Sequence, residues 1–461
     1  MDGISTLLAR LTAKDDLEGI FQGYPHAIFM TTGPWLLAVF WLAGTYLITT
    51  PYVGQNDILL FRQVLFYNFS FSMVLSAPVL IIVNRYLGDL LLTRKAARAP
   101  DLFLGALAVL VLTQLPLAGL YYGWVTGLHG LFRIAACINY FVLVTLWLLL
   151  VYLSALRAYR LTAWVFFAGM LCSLYFSVFF TQRGSISGMI TGFSSGLLLI
   201  VFTLLAYVLS EYRQRQSPPL AFLHYLRRYW SLALAGLGYF LVLWVDKWVM
   251  WTAPDRRFAI PNMPTHRDYE TVMLVAMLTA LPTLLMFIVH LETNFSAKYL
   301  RFYRTIRDHA PYDGIRRDHK ELMRTALRMA RTIGVLQACI TLAALGTAGA
   351  VFAEIGLNAR LVPLFRIGVL GAMLQAFAAL PLILLLLFDF RRTACVLTLS
   401  YAALSGLLTY LFLPGGTALQ GYGFTLASAV FFVTTTAVLV HRLRRLPYYT
   451  FVVNNEAVSR E

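Results

Sequence analysis

Roughly twelve apolar stretches of membrane-spanning length fill this chain, and they constrain its fold more than any other feature. Hydrophobic residues make up 59% of the sequence and charged residues 13%, unlike a soluble globular protein. About 20 apolar residues in a helix span the hydrocarbon core, because no backbone N–H or C=O can stay unpaired in lipid. The predicted spans are 27–49, 64–88, 103–124, 132–156, 162–181, 187–210, 229–252, 271–291, 329–354, 361–388, 393–413 and 422–441. The sequence therefore predicts an all-α polytopic membrane protein.

The distribution of Lys and Arg gives these spans a direction. Most of the 37 basic residues follow every second span, in segments that begin near Arg85, Arg157, Arg213, Lys298 and Arg391. By the positive-inside rule these segments and both termini are cytoplasmic. The excess positive charge, +16 in net, then lies beside anionic lipid. Each basic residue near that surface contributes about 1 kcal/mol of attraction. This placement argues against nucleic acid as a partner.

The N-terminal segment 1–26 is predicted to be an interfacial helix on the inner membrane surface. Ile4, Leu7 and Leu11 recur at near-helical spacing, as in helices that lie in the headgroup region. Acidic residues such as Asp15 give the segment the wrong charge for a signal peptide.

Four cysteines fall in four different predicted spans: Cys137, Cys172, Cys339 and Cys395. None belongs to a CxxC pair or has a histidine at ligand spacing, so core packing is favoured over a disulfide or a metal site. No cofactor is expected.

An even number of spans with both ends inside permits two six-helix bundles of the same orientation. The predicted division is an N-terminal helix 1–26, a bundle 27–210, a cytoplasmic linker 211–228, a bundle 229–445 that includes a basic cytoplasmic loop 293–331, and a tail 446–461.

Two charged residues inside span seven, Asp246 and Lys247, are the sharpest local signal. A charge at the bilayer centre costs about 2.5–3.5 kcal/mol on insertion scales, so it needs a partner or water. Adjacent residues point about 100° apart on a helix, so we expect that the two do not simply neutralise each other. Lys247 shares a face with Trp244 and Trp248. The alternative for Lys247 is a snorkelling side chain in an aromatic belt.

Uncharged polar residues occur in several spans: Gln63, Asn68, Ser70, Ser72, Asn139, Gln337 and Gln375. Interhelical hydrogen bonding is the favoured interpretation. A sugar path is the alternative, because carbohydrates offer hydroxyls to amides and C–H faces to aromatic rings.

Two spans leave the membrane through polar residues. Arg85 and Asp89 follow span two, and Glu292 follows span eight. If the halves are repeats, these exits face each other at the cytoplasmic mouth. Ordinary polarity at a helix end explains them equally well.

The segment 293–331 contains two basic amphipathic helices, 295–307 and 315–331, broken at 311–314. Such helices suit anionic headgroups, and docking of a cytoplasmic partner is the alternative. The residues concerned are Arg301, Arg304, Arg307, Arg316, Arg317 and Lys320.

Motifs of soluble catalysis are missing from the sequence: no Walker, GxSxG or HExxH motif occurs. His266, Asp268 and Glu270 on the outward loop 253–270 are the one candidate constellation for an enzyme, and solvated loop charge explains them better.

Several segments together resemble the PelG family, the inner-membrane transporters of the bacterial Pel exopolysaccharide system. They are Thr32-Gly33-Pro34-Trp35, Arg85-Tyr86-Leu87-Gly88-Asp89, Val245-Asp246-Lys247-Trp248, Glu292-Thr293-Asn294-Phe295, Phe388-Asp389-Phe390-Arg391-Arg392 and Leu446-Pro447-Tyr448-Tyr449-Thr450-Phe451. The resemblance covers nearly the whole length. It implies the MOP flippase superfamily, with two six-helix bundles around a central cavity.

The resemblance also implies export of an amino-sugar polysaccharide across the bacterial cytoplasmic membrane. The implied partners are a cytoplasmic glycosyltransferase, a membrane-anchored receptor for cyclic di-GMP and a tetratricopeptide-repeat membrane protein. Acidic groups such as Asp246, Glu292 and Asp389 would line the path of a cationic, partly deacetylated polymer.

The leading hypothesis is a transporter rather than an enzyme, with roles for ten residues of a substrate path: Asp246, Lys247, Trp244, Trp248, Arg85, Asp89, Glu292, Asp389, Asn68 and Gln375. Asp246 and Lys247 would polarise or gate the outer cavity, and the basic loop would seat the glycosyltransferase. The alternatives are a flippase for lipid-linked oligosaccharide, an ion-coupled MATE-like exporter, a polytopic membrane enzyme and a passive scaffold for the synthase.

Overall fold

A computed structural model describes residue 44 and residues 54–93, 98–128, 130–156, 159–182, 186–211, 218–354 and 358–446. Its contacts divide the chain into two compact units that meet in sequence between Arg267 and Asp268. The predicted N-terminal helix 1–26, nearly all of span one and nearly all of the tail 446–461 lie outside the described residues.

The described part of the first unit contains seven helices and a β-hairpin. The elements are α1 Gln55–Leu92, α2 Ala99–Leu120, α3 Gly130–Leu156, α4 Tyr159–Thr181, α5 Ile186–Glu211, α6 Leu223–Arg228, α7 Trp230–Met250, β1 Arg257–Ile260 and β2 Met263–Thr265. A π-helical turn, Tyr121–Val125, extends α2. α1 packs on α3 and α7, and α5 packs on α3 and α4.

Seven helices lie in the described residues of the second unit. They are α8 Arg267–Leu278, α9 Leu281–His290, α10 Ser296–Arg307, α11 Tyr312–Glu354, α12 Val362–Leu387, α13 Arg391–Phe412 and α14 Tyr422–Arg444. A π-helical turn, Leu291–Phe295, joins α9 to α10, and short 3₁₀ segments, Ala359–Leu361 and Leu413–Ala418, precede α12 and follow α13.

Eleven helical segments of the described chain are long and apolar enough to cross a membrane, and each overlaps one of the predicted spans two to twelve to within a few residues at the ends of the span. The all-α fold class is therefore confirmed. The predicted division of the chain into two bundles at 211–228 stays a prediction. The helix that follows this segment, α7, packs on α1 and α6 and belongs to the first unit.

The two amphipathic helices predicted in the basic loop 293–331 are confirmed, and each is continuous with a membrane-length helix. The first continues span eight through the π-helical turn, and the second is the start of α11, a helix of 43 residues that includes span nine. The chain breaks at 308–311, just before the predicted break. α10 and the start of α11 form a hairpin around buried Phe295, Phe302 and Leu322.

A seam of small residues lets α4 and α5 approach closely. Gly188, Gly192 and Gly196 recur every fourth residue on α5, the spacing of small residues at membrane helix contacts. A Cβ on Gly192 would lie 2.4 Å from the backbone nitrogen of Ser177 on α4. Any larger residue there would push the two helices apart. Periodicity of apolar residues gave no hint of this seam.

The outward loop 253–270 contains an antiparallel hairpin, β1–β2, that binds the start of α1. The carbonyl of Pro264 accepts hydrogen bonds from Gln63 Nε2 at 2.8 Å and from the Tyr67 hydroxyl at 2.9 Å. Asn262 Nδ2 donates to the carbonyl of Val125 at 2.6 Å. The predicted interhelical role of Gln63 is thus wrong, because its partner is the hairpin.

Candidate functional site

Three aromatic pairs join α1 to α7 and its C-terminal end: Phe66 with Trp244, Phe71 with Trp248 and Tyr67 with Trp251. The last two pairs stack with ring centroids 4.8 and 4.2 Å apart, and the first meets edge to face at 5.1 Å. The pairing follows from spacing, because residues three or four apart share one helix face. We call these six side chains the aromatic cluster.

A cavity of ≈ 280 Å³ opens beside this cluster. Tyr67 and Phe71 of α1 border it, and the π-helical turn after α2 adds Tyr121 and Tyr122. π-helical turns are rare and frequently occur at functional sites. The nine lining residues of this cavity carry no charged side chain. Its wall therefore presents ring faces, phenol groups and the Asn68 amide.

Behind the cavity, Asn68 sits at the centre of a buried hydrogen-bond network. Its Nδ2 donates to the Ala136 carbonyl at 3.0 Å and to Asn139 Oδ1 at 2.9 Å, and the Tyr122 hydroxyl donates to its Oδ1. Asn139 Nδ2 continues the network to Ser194 Oγ at 3.1 Å. The predicted interhelical hydrogen bonding is confirmed here, and it joins α1, α3 and α5. The predicted role of Asn68 in a substrate path stays a prediction.

Further buried hydrogen bonds join α1, α2 and α3. Tyr140 OH donates to Gln114 Oε1 at 2.6 Å, and Gln114 Nε2 donates to Ser76 Oγ at 3.0 Å. Trp147 Nε1 donates to Ser72 Oγ at 3.0 Å. Satisfied networks of this kind rigidify the wall that they support.

Asp246 and Lys247 form an ion pair, which overturns the expectation that adjacent positions would keep them from neutralising each other. Lys247 Nζ lies 3.0 Å from both carboxylate oxygens, and the two side chains are 4% and 0% exposed. The long Lys side chain bends back along the helix, a freedom that an argument from Cβ directions alone omits. Burial also excludes the snorkelling alternative for Lys247.

The indole N–H groups of Trp244 and Trp248 are buried and have no acceptor among the described residues. A buried donor without a partner costs about 1–3 kcal/mol. Both rings belong to the aromatic cluster, so the cluster holds two buried indole donors without an acceptor beside its packed rings. This combination fits a ligand with apolar C–H faces and many hydroxyl oxygens.

Arg85 and Asp89 lie together at the far end of α1, one turn apart, with Arg85 Nε 3.8 Å from Asp89 Oδ1. The Arg85 guanidinium also sits 5.5 Å from the Tyr229 ring centroid. Burial and, next, the Asp89 carboxylate raise the pKa of the Tyr225 hydroxyl. The pair is partly exposed and about 17 residues, or about 26 Å, from Asn68 along the helix.

The second unit holds the other predicted path residues. Glu292 is half-buried in the π-helical turn Leu291–Phe295, and Gln375 is half-buried in α12. Asp389 is exposed, adopts a positive φ of 64° and pairs with Arg391 at 2.7 Å. These three residues do not form a cluster in the contacts of the described chain. The roles of these residues in a substrate path stay predictions. So does the placement of the polar ends of spans two and eight opposite each other.

The six predicted basic residues of the hairpin of α10 and α11 are all exposed: Arg301, Arg304, Arg307, Arg316, Arg317 and Lys320. Arg301 also bridges α10 to α11, with its Nε 3.2 Å from Asp318 Oδ1. Lys298, nearby on α10, pairs with Glu321.

Two residues of the candidate enzyme constellation, His266 and Glu270, are buried, so the interpretation of these residues as solvated loop charge is wrong for them. His266 Nε2 lies 3.1 Å from Asp255 Oδ2. Among the described residues, no group of three His, Cys, Asp or Glu side chains could hold a metal.

Sequence reasoning identified Trp244 and Trp248 but missed most of the aromatic cluster. The signal was present in the run from Phe66 to Ser72, Phe-Tyr-Asn-Phe-Ser-Phe-Ser, in which Tyr67 and Phe71 are one turn apart. The contribution of the π-helical turn could not be found in this way, because it depends on a local change of helical period.

Solved structures with the same fold are transporters of the MOP superfamily. One from Pyrococcus furiosus gives a TM-score of 0.64 at 13% identity, over 91% of this chain and 96% of that chain. A MATE transporter in complex with MaL6 gives 0.64 at 14% identity, over 92% and 97%. An inward-facing MATE transporter gives 0.60 at 14% identity, over 91% and 99%. These likenesses show the fold.

Comparison with curated proteins gives no match. The model of the family PelG, described as "Putative exopolysaccharide Exporter (EPS-E)", matches residues 1–451. This match spans almost all of the sequence. The family is one of multi-pass membrane transporters and not of enzymes, in agreement with the eleven membrane-length helices and the MOP fold. The chain therefore belongs to the PelG family of exopolysaccharide exporters.

Proposed function

We propose that this chain carries an exopolysaccharide of amino sugars across the bacterial cytoplasmic membrane, and that the aromatic cluster and its cavity contact the sugar rings. The cavity beside Tyr67, Phe71 and Tyr121 carries the proposal. Pyranose rings offer apolar C–H faces to aromatic rings and hydroxyl oxygens to the indole donors of Trp244 and Trp248. Pockets that bind small ligands combine apolar walls with a few polar groups in the same way.

The charge of the cavity favours a neutral sugar. Its lining is uncharged, and the Asp246 carboxylate is paired with Lys247. An N-acetylated polymer fits this lining better than a cationic, deacetylated one. Acetamido groups also match the hydrogen-bonding capacity of tyrosine hydroxyls. The proposed cargo is therefore the acetylated form of the polymer.

An export assay tests the proposal. Tyr121→Leu removes a ring from the cavity wall, whereas Tyr121→Phe keeps it. We expect secreted polymer to fall about tenfold in the first variant, because a stacking contact with an aromatic ring is commonly worth about 1 kcal/mol or more. The second should retain most export. Tyr175→Leu, at an exposed aromatic of α4 that lies outside the cavity lining, is the matched control.

Secretion should be measured in cells whose own copy of the gene is deleted, at equal membrane levels of each variant. Unchanged secretion in Tyr121→Leu would remove the cavity from the transport path. A loss of the same size in Tyr175→Leu would mean that the assay reports folding rather than sugar contact.

Binding by purified protein tests the sugar class separately. Trp248 and Trp251 are stacked in the aromatic cluster, so their fluorescence should change when a sugar enters. Tetramers of N-acetylglucosamine, glucosamine and glucose serve as probes. We expect the acetylated tetramer to bind most tightly, and equal binding of all three would contradict the proposed selectivity.

We further propose that a cytoplasmic glycosyltransferase docks on the hairpin of α10 and α11 and delivers the polymer. The exposed Arg304, Arg316 and Arg317 support this, because surface charge steers association. A membrane-anchored cyclic di-GMP receptor and a tetratricopeptide-repeat membrane protein would complete the assembly. Replacing Arg316 and Arg317 by Gln should lower co-purification of the glycosyltransferase several-fold. Arg256→Gln with Arg257→Gln, on the outward loop, is the control, and equal recovery in both double variants would refute docking here.

A further inference from the structure

An apolar groove of ≈ 330 Å³ lies between α11, α12 and α14 of the second unit. Met323, Leu327 and Gly334 line it from α11, Phe377 and other residues from α12, and Phe432 and others from α14. Its volume is in the range of about 300–1,000 Å³ that small-molecule sites occupy. The α11 lining from Met323 to Gly334 rises about 16 Å, close to the depth of one leaflet of a hydrocarbon core about 30 Å thick.

The face of α11 beside the groove is apolar and exposed. Leu327, Val335 and Leu342 are 72%, 58% and 69% exposed, and α11 buries a smaller share of its apolar stretch than any other of the eleven spans. An exposed apolar stripe at helical spacing on a membrane helix is the face that meets acyl chains. Lipid is therefore the natural neighbour of this groove.

Arg331 lies on that same stripe, four residues from both Leu327 and Val335, and it is exposed. It has no ion pair among the described residues, and neither has Arg324, which lies two turns closer to the start of α11. A cation on a lipid-facing surface costs free energy unless it finds an anion. Arginine forms bidentate hydrogen bonds with phosphate, and basic pockets between membrane helices on the cytoplasmic side hold anionic headgroups.

We infer that this groove binds one anionic phospholipid, with an acyl chain against α11, α12 and α14 and its phosphate on Arg324 and Arg331. The Lys and Arg distribution assigns this end of α11 to the cytoplasmic leaflet. Arg328, between the two, adds a third cation near the headgroup. The site is separate from the aromatic cluster and does not depend on the sugar proposal.

Native mass spectrometry of the purified full-length protein, titrated with phosphatidylglycerol or phosphatidylcholine, tests the headgroup contact. We expect one phosphatidylglycerol to be retained with at least about a tenfold preference over phosphatidylcholine, since each nearby cation is worth about 1 kcal/mol. Arg324→Gln with Arg331→Gln should bring this preference to about twofold or less. Arg256→Gln with Arg257→Gln removes two exposed charges of the outward loop and should leave it unchanged.

A groove-filling pair of variants tests the acyl contact. A Cβ on Gly334 or on Gly349 would meet no atom within 4 Å, so both accept a side chain, but Gly334 alone of the two lines the groove. Gly334→Leu should lower retention of both lipids at least about fivefold, and Gly349→Leu should not. Should Gly334→Leu aggregate, Gly334→Ala gives a smaller loss in the same direction. Equal headgroup preference in the wild type and the arginine variant, or full retention in the groove variants, would overturn the inference.

Discussion

The unit that ends at Arg267 and the unit that begins at Asp268 bury polar side chains in different ways. Among the described residues, four side-chain amides are buried in the first unit and one in the second: Gln63, Asn68, Gln114 and Asn139, against Gln337. The amides of the first unit are joined into networks with good partners. Gln337 makes a long bond of 3.3 Å to Thr341 in its own helix, and its Oε1 has no partner among the described residues.

The ion pair inside a span follows the same distribution as the amides. The first unit buries Asp246–Lys247 inside a span. The second unit places its pairs at the partly exposed hairpin of α10 and α11 and at the exposed Asp389. Buried, fully paired polar groups fix one rigid arrangement, whereas exposed pairs contribute little. This difference supports the proposals that the first unit contacts sugar through a rigid wall and that the second unit binds lipid and partners.

The largest expected effect comes from the buried ion pair. Asp246→Asn or Lys247→Met alone leaves a buried charge without its present partner, which costs about 3–5 kcal/mol. The double variant removes both charges and should recover most of this loss. The exposed pair of the second unit is the comparison: Asp389→Asn should cost about 0–1 kcal/mol. Melting temperatures of the purified proteins in detergent measure all four variants, and equal losses in the single and double variants of the buried pair would contradict this reasoning.

The next effect concerns helix packing. Gly192→Val places atoms where a Cβ already lies 2.4 Å from Ser177 N, and overpacking costs about 1–3 kcal/mol. Gly346→Val, in α11, meets no atom within 4 Å of its Cβ and should change stability by only a few tenths of a kcal/mol, since valine is no poorer a helix former than glycine. The yield of monodisperse protein and its melting temperature report both. A larger loss of stability in Gly346→Val than in Gly192→Val would contradict this comparison, and it would mean that α11 packs against another surface at Gly346.

A third comparison sets the amides of the two units against each other. Asn68→Leu leaves Asn139 and Tyr122 with unmet hydrogen-bonding groups and should cost about 1–2 kcal/mol. Gln337→Leu removes a group that is itself half unsatisfied and should change stability by less than about 0.5 kcal/mol or increase it. Thermal unfolding with a hydrophobic dye gives the difference. A Gln337 variant as unstable as the Asn68 variant would show that the second unit also depends on buried amides.

Much of the fold was predictable because a membrane-spanning helix is recognised by its length and hydropathy alone. Spans two to twelve, the amphipathic helices around Arg301 and Arg316 and the interhelical bond of Asn68 all follow from such patterns. The Asp246–Lys247 pair was not predicted, because side-chain flexibility outweighed the angular separation. The hairpin at Pro264 was missed too, since short strands in a polar loop carry little periodicity.

The smallest expected effect tests the exposed pairs that distinguish the second unit. Arg301 is 58% exposed and reaches both Asp318, at 3.2 Å, and Glu321, at 3.7 Å, across the hairpin. Arg301→Gln should lower stability by about 0.2–1 kcal/mol, and about 0.5 M salt should remove most of the difference because it screens exposed charges. Melting temperatures at low and high salt measure this. Asp318 is 7% exposed and also accepts a hydrogen bond from Thr305 at 2.6 Å, so Asp318→Asn should cost more and respond less to salt. If both variants lose the same stability and neither responds to salt, the hairpin pairs are as rigid as the buried pair of the first unit, and the contrast between the two units fails at this point.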